Sequence, residues 1–176
     1  AIYSGAMDNA SGVATLIEIA RAFRASGQVP RRSILFVAVT GEEKGLLGSE
    51  YFAQHPSVPG TIVADLNMDM FLPLYPLKYL EVQGLGESSL GPDLRALAAE
   101  VGVEAQPDHE PERVIFIRSD QYNFVKIGAP SLMLSVGYRK GSREEEISKA
   151  WFRERYHAPA DDLDQPVDRE SAARFT

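Results

Sequence analysis

Helical patterns alternate with short apolar runs along this sequence, and this alternation limits the folds it can adopt. Residues 10–26 repeat apolar side chains at helical spacing, place charged side chains on the opposite side, and end before Gly27, a typical helix stop. Residues 33–39 then form a continuous apolar run, which predicts a strand buried on both faces. Helices that alternate with buried strands indicate an α/β fold.

The rest of the chain continues this alternation. The patterns predict helices over residues 45–54, 90–101 and 121–126, a further helix from residue 168, and strands over residues 62–68, 79–82, 114–117 and 130–136. Residues 137–156 are rich in charge and show no strong apolar period, so we expect a long surface segment there. We therefore expect one domain, residues 1–176, built as a three-layer α/β/α sandwich around a mixed, mostly parallel sheet.

Charge and hydropathy exclude two classes of partner. The chain carries 18 Lys and Arg residues against 25 Asp and Glu residues, a net charge of −7. We expect no nucleic-acid partner, because binding to nucleic acid depends on clustered cations that neutralise phosphates. We also expect no integral membrane segment, because no apolar run approaches the ~18 residues that a membrane helix needs.

The absence of cysteine limits the chemistry of any active site. Disulfide scaffolds, thiolate zinc sites and cysteine nucleophiles are all excluded. A bound metal must therefore be held by Asp, Glu and His side chains. The chain has 3 histidines: His55, His109 and His157.

Several acids fall beside the ends of predicted elements. Asp8 precedes the first helix, Glu42 and Glu43 follow a strand, Asp69 closes another strand, and His157 follows the last strand. Loops at the carboxyl ends of strands in an open α/β sheet converge on one crevice, so these side chains could meet there. Carboxylates and an imidazole suit Zn²⁺, and a spare carboxylate could take a proton from water.

Each of these residues also has a simpler interpretation. Asp8 could cap the helix that follows it, and Glu42 and Glu43 could be acids favoured by a helix dipole. His157 could be a solvated loop residue. Asp69 is harder to explain in this way, because burying an unpaired acid in an apolar strand end is costly. Taken singly, none of them decides the function.

Five short motifs occur in a fixed order along the chain. They are Asp8-Asn9-Ala10-Ser11-Gly12, Gly41-Glu42-Glu43, Asn67-Met68-Asp69-Met70, Ser119-Asp120 and Tyr156-His157-Ala158-Pro159-Ala160-Asp161. This series resembles the M28 family of zinc aminopeptidases. The resemblance implies a zinc-exopeptidase-like sandwich and a substrate that is a peptide with a free N-terminus.

The resemblance also implies a set of metal ligands. Asp8 would bridge two zinc ions, Glu43 and His157 would complete one site, and Asp69 would bind the other ion. In the family an upstream His-x-Asp segment supplies the second site's histidine, and the chain has none before Asp8. We therefore expect part of a longer peptidase, without its first strands and incomplete at its C-terminus. Two zinc ions are expected in the full-length parent, and one or none in the present chain.

Further roles are implied for residues near the metal. Glu42 resembles the general base of the family, and Tyr156 resembles a phenol that hydrogen-bonds the oxyanion. Arg118 and Asp120 match a motif near the substrate end of similar sites. Trp151 precedes the Tyr156-His157 pair, so it either shapes the substrate pocket or pins a surface segment to the body.

The chain has two further histidines, and two alternative functions are compatible with its sequence. His55 and His109 fit neither metal site, and we expect both on the surface. A glutaminyl-cyclase-like acyltransferase with one zinc is one alternative, although similar cyclases tend to carry Trp where this chain has Tyr156. A non-catalytic, peptidase-like interaction domain is the other, against which the retained acids argue. The resemblance favours a secreted or periplasmic protein, while the cysteine-free sequence is equally compatible with the cytoplasm.

Overall fold

The computed structural model describes all 176 residues. It contains the helices α1 (Gly12–Ser26), α2 (Leu47–Gln54), α3 (Leu90–Glu100), α4 (Gln121–Lys126), α5 (Arg143–Glu154) and α6 (Arg169–Phe175), and the strands β1 (Asp65–Asn67), β2 (Tyr79–Gln83), β3 (Glu104–Pro107) and β4 (Ser131–Gly137). None of these helices is long and apolar enough to cross a membrane.

The four strands form one sheet in the order β1-β4-β2-β3. The two outer pairs, β1 with β4 and β2 with β3, are parallel, and the central pair β2 with β4 is antiparallel. The predicted mixed, mostly parallel sheet is therefore confirmed. The pairing aligns Asn67, Met133 and Gln83 across three strands, and places Glu81 opposite Ser135.

The main hydrophobic core lies on one face of the sheet. Leu132, Leu134 and Val136 alternate along β4, so they point to the same face. They pack with apolar side chains of α3, α5 and α6. A separate cluster joins Ala53 of α2 to Phe124 of α4, and α4 contacts β1 and β4. Helices, sheet and helices thus form the predicted α/β/α layers.

The predicted buried strand over residues 33–39 is wrong. This segment has no regular secondary structure, and Ile34 is 45% exposed and Leu35 43% exposed. A strand buried on both faces needs neighbours that pair with its backbone N–H and C=O groups. No strand pairs with residues 33–39, because β1 forms its ladder with β4 alone. The apolar run indicated that this segment tends to be buried, but it did not indicate which strand would pair with it.

Two other strand predictions need correction. Residues 115–117 form a 3₁₀ turn instead of part of the strand predicted over residues 114–117, and Val114 has a φ of 54°, in the left-handed region that a strand does not use. The strand predicted over residues 62–68 is shorter in the structure, where only β1 is a strand. Strand β3 was not predicted from the sequence, and its polar residues suit a short edge strand.

The long surface segment predicted over residues 137–156 is mostly helical, because α5 occupies most of it. The hydroxyl of Ser142 accepts a hydrogen bond from the Glu145 N–H and caps the helix. Three glutamates in the first turn are favoured there by the helix dipole. The apolar contact is made by Ile147 and Trp151, which are four residues apart on one helix face.

Candidate metal centre and active site

Three side chains from distant parts of the chain meet at one point. The Nε2 of His157 lies 3.3 Å from Asp8 Oδ2 and 3.0 Å from Glu43 Oε1. One donor atom from each residue lies within 4.8 Å of the others. Zinc takes nitrogen and oxygen ligands at about 2.1 Å in tetrahedral geometry, which places two ligands ~3.4 Å apart. The donor set therefore fits a zinc ion in both chemistry and spacing.

Asp8 lies in the kinked turn Ala6–Ser11 that leads into α1. The carboxylate of Asp161, which is 3% exposed, fixes this turn. Asp161 Oδ2 accepts the N–H of Asp8 at 2.9 Å, and Oδ1 accepts the N–H of Met7 at 2.7 Å. The backbone that carries Asp8 is thereby tied to the loop that carries His157.

Asn9 connects the same turn to the end of β1. Its Nδ2 donates to the Met68 carbonyl at 3.0 Å, and its Oδ1 accepts the N–H groups of Gly12 and Met70 at 3.0 and 3.3 Å. Asn9 therefore supplies the hydrogen bond at the start of α1 that the capping interpretation gave to Asp8. The side chain of Asp8 is left for the cavity.

Glu42 and Glu43 lie on a single 3₁₀ turn, Glu42–Lys44. Gly41 and Gly45 flank the turn with φ angles of 74° and 100°, which glycine adopts without strain. The turn ends before α2, so neither acid lies in the first turn of that helix. Burial raises the pKa of Glu42 to about 7, and the charges of Asp69 and Glu43 add to this effect.

Asp69 follows β1 and is buried. Its Oδ2 accepts a hydrogen bond from Ser119 Oγ at 2.6 Å. Burial raises the pKa of Asp69, and the Ser119 hydrogen bond opposes this effect. Asp69 faces the same cavity as the three converging residues but does not belong to their group.

Tyr156 and His157 stack on one another, with ring centroids 3.8 Å apart. His157 has a φ of 52°, a strained conformation for a residue with a side chain. Burial raises the pKa of Tyr156, and the nearby Asp8 carboxylate raises it further, so the phenol keeps its proton at neutral pH. Burial, followed by the charges of Asp69 and Glu43, also raises the pKa of Asp8 to about 6.

A cavity of about 490 Å³ brings most of the predicted site residues together. The predicted residues that line it are Asp8, Glu42, Glu43, Asp69, Arg118, Tyr156 and His157. Asp120 does not line it, because it precedes α4 with its Oδ1 buried, and burial raises its pKa. Trp151 does not line it either, and its neighbour Phe152 faces the cavity instead.

Trp151 lies behind the site as part of a hydrogen-bonded relay. Its ring is 3% exposed and packs with Met7 and Leu72. Its Nε1 donates to Gln165 Oε1 at 2.7 Å, and Gln165 Nε2 donates to Asp161 Oδ1 at 2.7 Å. No role for Asp161 or Gln165 was predicted from the sequence. The only signal was the position of Asp161 at the end of the Tyr-His motif.

The other two histidines have different surroundings. His55 is exposed, as predicted. His109 is not a surface residue, because its side chain is only 11% exposed and its Nδ1 lies 3.4 Å from Glu81 Oε2. Glu81 lines the cavity together with Asp108 and Glu110. This second acidic group could not be recognised from the sequence, since its members come from a strand and a polar loop without a motif.

Comparison with known proteins identifies relatives of the chain. A family model described as peptidase family M28 matches residues 1–176. A probable zinc metalloprotease of Pyrenophora tritici-repentis is 43% identical over 67 residues, which are 38% of this chain and 15% of that protein.

Solved structures show the same fold. A zinc aminopeptidase from Bacillus subtilis matches with a TM-score of 0.73 and 22% identity, over 99% of this chain and 41% of that chain. A glutaminyl cyclase from Porphyromonas gingivalis matches with a TM-score of 0.59 and 18% identity, over 98% of this chain and 60% of that chain. The present chain thus spans only part of the length of these proteins. Because the family model covers every residue, the chain belongs to peptidase family M28.

Proposed function

We propose that this domain, residues 1–176, is the catalytic domain of a zinc-dependent aminopeptidase that cleaves the first peptide bond of peptides with a free N-terminus. The observation that carries this proposal is the meeting of Asp8, Glu43 and His157 in a cavity that also contains Glu42 and Tyr156. The aminopeptidase from B. subtilis and the fungal zinc metalloprotease support the same class of activity.

Zinc is proposed to bind at Asp8, Glu43 and His157. When bound, it supplies a Lewis acid and lowers the pKa of a water molecule. Asp69 is the further acid in the same cavity that would be available to a second zinc ion. Ser119 would hold Asp69 in place through its hydrogen bond.

Glu42 is proposed as the general base. It lines the cavity and is not part of the three-residue donor group, so its carboxylate is free to accept a proton from the attacking water. A bond then forms between the water oxygen and the scissile carbonyl carbon. When the carbon–nitrogen bond breaks, Glu42 passes the proton to the leaving amine.

Tyr156 is proposed to stabilise the oxyanion that develops on the scissile carbonyl. Its phenol keeps its proton and can donate a hydrogen bond, and its stacking on His157 fixes the ring beside the donor group. Arg118 lines the same cavity and is available to the substrate. Asp120 and Trp151 are proposed to influence the site without contacting the substrate. Trp151 does so by positioning Asp161 through its hydrogen bond to Gln165.

Two substitutions separate the roles of the neighbouring glutamates in the full-length protein. We expect Glu42→Gln to lower kcat at least ~100-fold, the usual loss for a general base, with bound zinc unchanged. Glu43→Gln should lower the zinc content measured by atomic absorption. Glu100→Gln removes the same charge from an exposed position on α3 and serves as the control. The reverse pattern would show that the two roles are exchanged.

Metal removal tests the zinc requirement directly. Chelation should abolish release of N-terminal amino acids from peptides, and added zinc should restore it. Full activity after complete removal of metal would refute the proposal.

A glutaminyl cyclase is the second candidate. The single three-residue donor group and the structural likeness to the P. gingivalis cyclase favour it. Peptides with N-terminal glutamine distinguish the two activities, since a cyclase releases ammonia and leaves every peptide bond intact. We expect free glutamine instead.

A further inference from the structure

The cavity extends from the metal centre to a second polar end. Glu81 and Gln83 of β2 and Ser135 of β4 face the cavity there, and Asp108 and Glu110 approach from the loop after β3. Glu81 and Gln83 are two residues apart on one strand and therefore point to the same face of the sheet.

Gln83 is an unsatisfied polar group in this region. Its side chain lines the cavity, the residue is 7% exposed, and its Oε1 is buried without a hydrogen-bond partner. A buried acceptor without a partner is destabilising, because it has lost its hydrogen bonds to water. A ligand that donates a hydrogen bond to Oε1 would remove this cost.

The acids at this end are only partly neutralised by the protein. Arg113 pairs with Glu110 at 2.8 Å, and Lys149 pairs with Glu145 at 2.7 Å. Glu81 and Asp108 have no Lys or Arg partner among the ion pairs of the structure. Burial and the nearby Lys140 lower the pKa of their neighbour His109, which disfavours its charged form.

Burial raises the pKa of Glu81 to about 7, and the carboxylates of Asp108 and Glu110 add to this effect. A cation beside Glu81 would therefore be stabilised by this carboxylate and would lower its pKa in return. The geometry does not suit a metal ion. The acids of this end form no group of three converging donors, whereas Asp8, Glu43 and His157 do.

A planar, extended cation suits the arrangement better. A guanidinium presents five N–H donors in a fixed fork, which can serve a carboxylate and an amide oxygen at once. Asn67, Met133 and Gln83 are aligned across three strands, so Gln83 lies two strand spacings, ~10 Å, from the strand that leads to Asp69. An extended arginine side chain spans roughly 7 Å from its Cα, by summing bond lengths. This length is comparable with the distance between the two ends of the cavity.

We propose that the Glu81, Gln83 and Asp108 side chains form a subsite for the guanidinium of an N-terminal arginine in the substrate. This specificity rests on the proposed aminopeptidase function, since the metal centre would hold the backbone of the same residue. The phenyl ring of Phe152 and the side chain of Met70 line the cavity as well and can cover the aliphatic part of the arginine.

Equilibrium binding tests the subsite without turnover. Calorimetry on the full-length protein would compare arginine amide with citrulline amide, an uncharged analogue of the same shape. We expect arginine amide to bind about 10- to 100-fold more tightly, as for hydrogen bonds to a charged group. Glu81→Gln should remove most of this difference, whereas Glu100→Gln should retain it. Equal binding of both amides to the unmodified protein would refute the subsite.

Gln83→Leu provides a second variant that does not depend on the charge of Glu81. It removes an oxygen without an internal partner, so folding loses no hydrogen bond of that atom. We expect arginine amide to bind about tenfold more weakly. Unchanged binding to a folded Gln83→Leu protein would contradict a role for this amide.

Hydrolysis separates failure of the subsite from failure of the proposed function. Arginine and norleucine anilides would be compared, with an expected preference for arginine of at least tenfold in kcat/KM. If both anilides are cleaved equally, the aminopeptidase function stands and the subsite is refuted. If neither is cleaved while arginine amide still binds selectively, the subsite stands and the proposed function is refuted.

Discussion

Asp161→Asn is the sharpest test of how the fold positions the proposed metal ligand Asp8. The Asp161 carboxylate accepts three hydrogen bonds, from the N–H groups of Met7 and Asp8 and from Gln165 Nε2. Asparagine keeps one oxygen and replaces the other with an NH₂ group. If the remaining oxygen stays opposite Met7 and Gln165, the new NH₂ group faces the N–H of Asp8, and two donors oppose one another.

The size of the effect follows from these contacts. A hydrogen bond to a charged acceptor contributes about 1.5–3 kcal/mol, and a buried donor without an acceptor costs about 1–3 kcal/mol. The two contributions overlap, because both concern the Asp8 N–H, so we expect a loss of about 3 kcal/mol in the free energy of unfolding. For a chain of this size that is a fall in Tm of roughly 10 °C. Zinc affinity should fall about 10- to 100-fold, as for other groups that orient metal ligands.

Urea unfolding without metal measures the first effect, and competition with a fluorescent zinc chelator measures the second. Asp164→Asn removes the same charge three residues away at an exposed position and should change neither quantity. If Asp161→Asn lowers the free energy of unfolding by less than ~0.5 kcal/mol, the usual range for a surface substitution, and leaves zinc affinity unchanged, the hydrogen bonds of Asp161 do not hold Asp8 in place.

Two further predictions concern titration and metal content. Burial, followed by the charge of Asp120, raises the pKa of Asp65 from 3.8 to about 7. The folded protein therefore binds more protons than the unfolded chain in this interval, and its stability should fall as the pH rises from about 4 to 7. Asp65→Asn should reduce this decline and stabilise the protein by roughly 4 kcal/mol at pH 8, measured by urea unfolding; a stability profile identical to that of the unmodified protein would contradict the assignment. Calorimetric titration of the present 176 residues with zinc should find at most one tight site, because a single group of three donors converges, and two equally tight sites would show that Asp69 has further partners.

Helices and strands are predicted most accurately from the sequence where the local pattern and the tertiary environment agree. The helix α4 spans the predicted residues 121–126, and β4 differs by one residue at each end from the predicted strand. In both cases a Gly or Pro signal bounds a run whose composition suits its environment. Residues 33–39 have an equally clear pattern, yet no neighbouring strand pairs with them, and the pattern alone contains no information about partners.

The candidate site also combines features that can be predicted from the sequence with features that depend on tertiary packing. Asp8, Glu43 and His157 could be selected from the sequence because cysteine is absent, histidines are few, and the motifs occur in a fixed order. The sequence could not show that Trp151 points away from the cavity. That depends on which face of α5 packs against Met7 and Leu72.

The donor chemistry, the α/β class and the family-like order of motifs can be read from the sequence, because each depends on residue type or on local spacing. Which acids meet, what holds them, and where unsatisfied groups remain depend on tertiary packing. Asp161 reaches Asp8 across 153 residues of sequence, and the register of β2 against β4 places Glu81 and Gln83 opposite Ser135 and Met133, on the face that lines the cavity. Such contacts arise from packing between distant segments, and no local pattern records them.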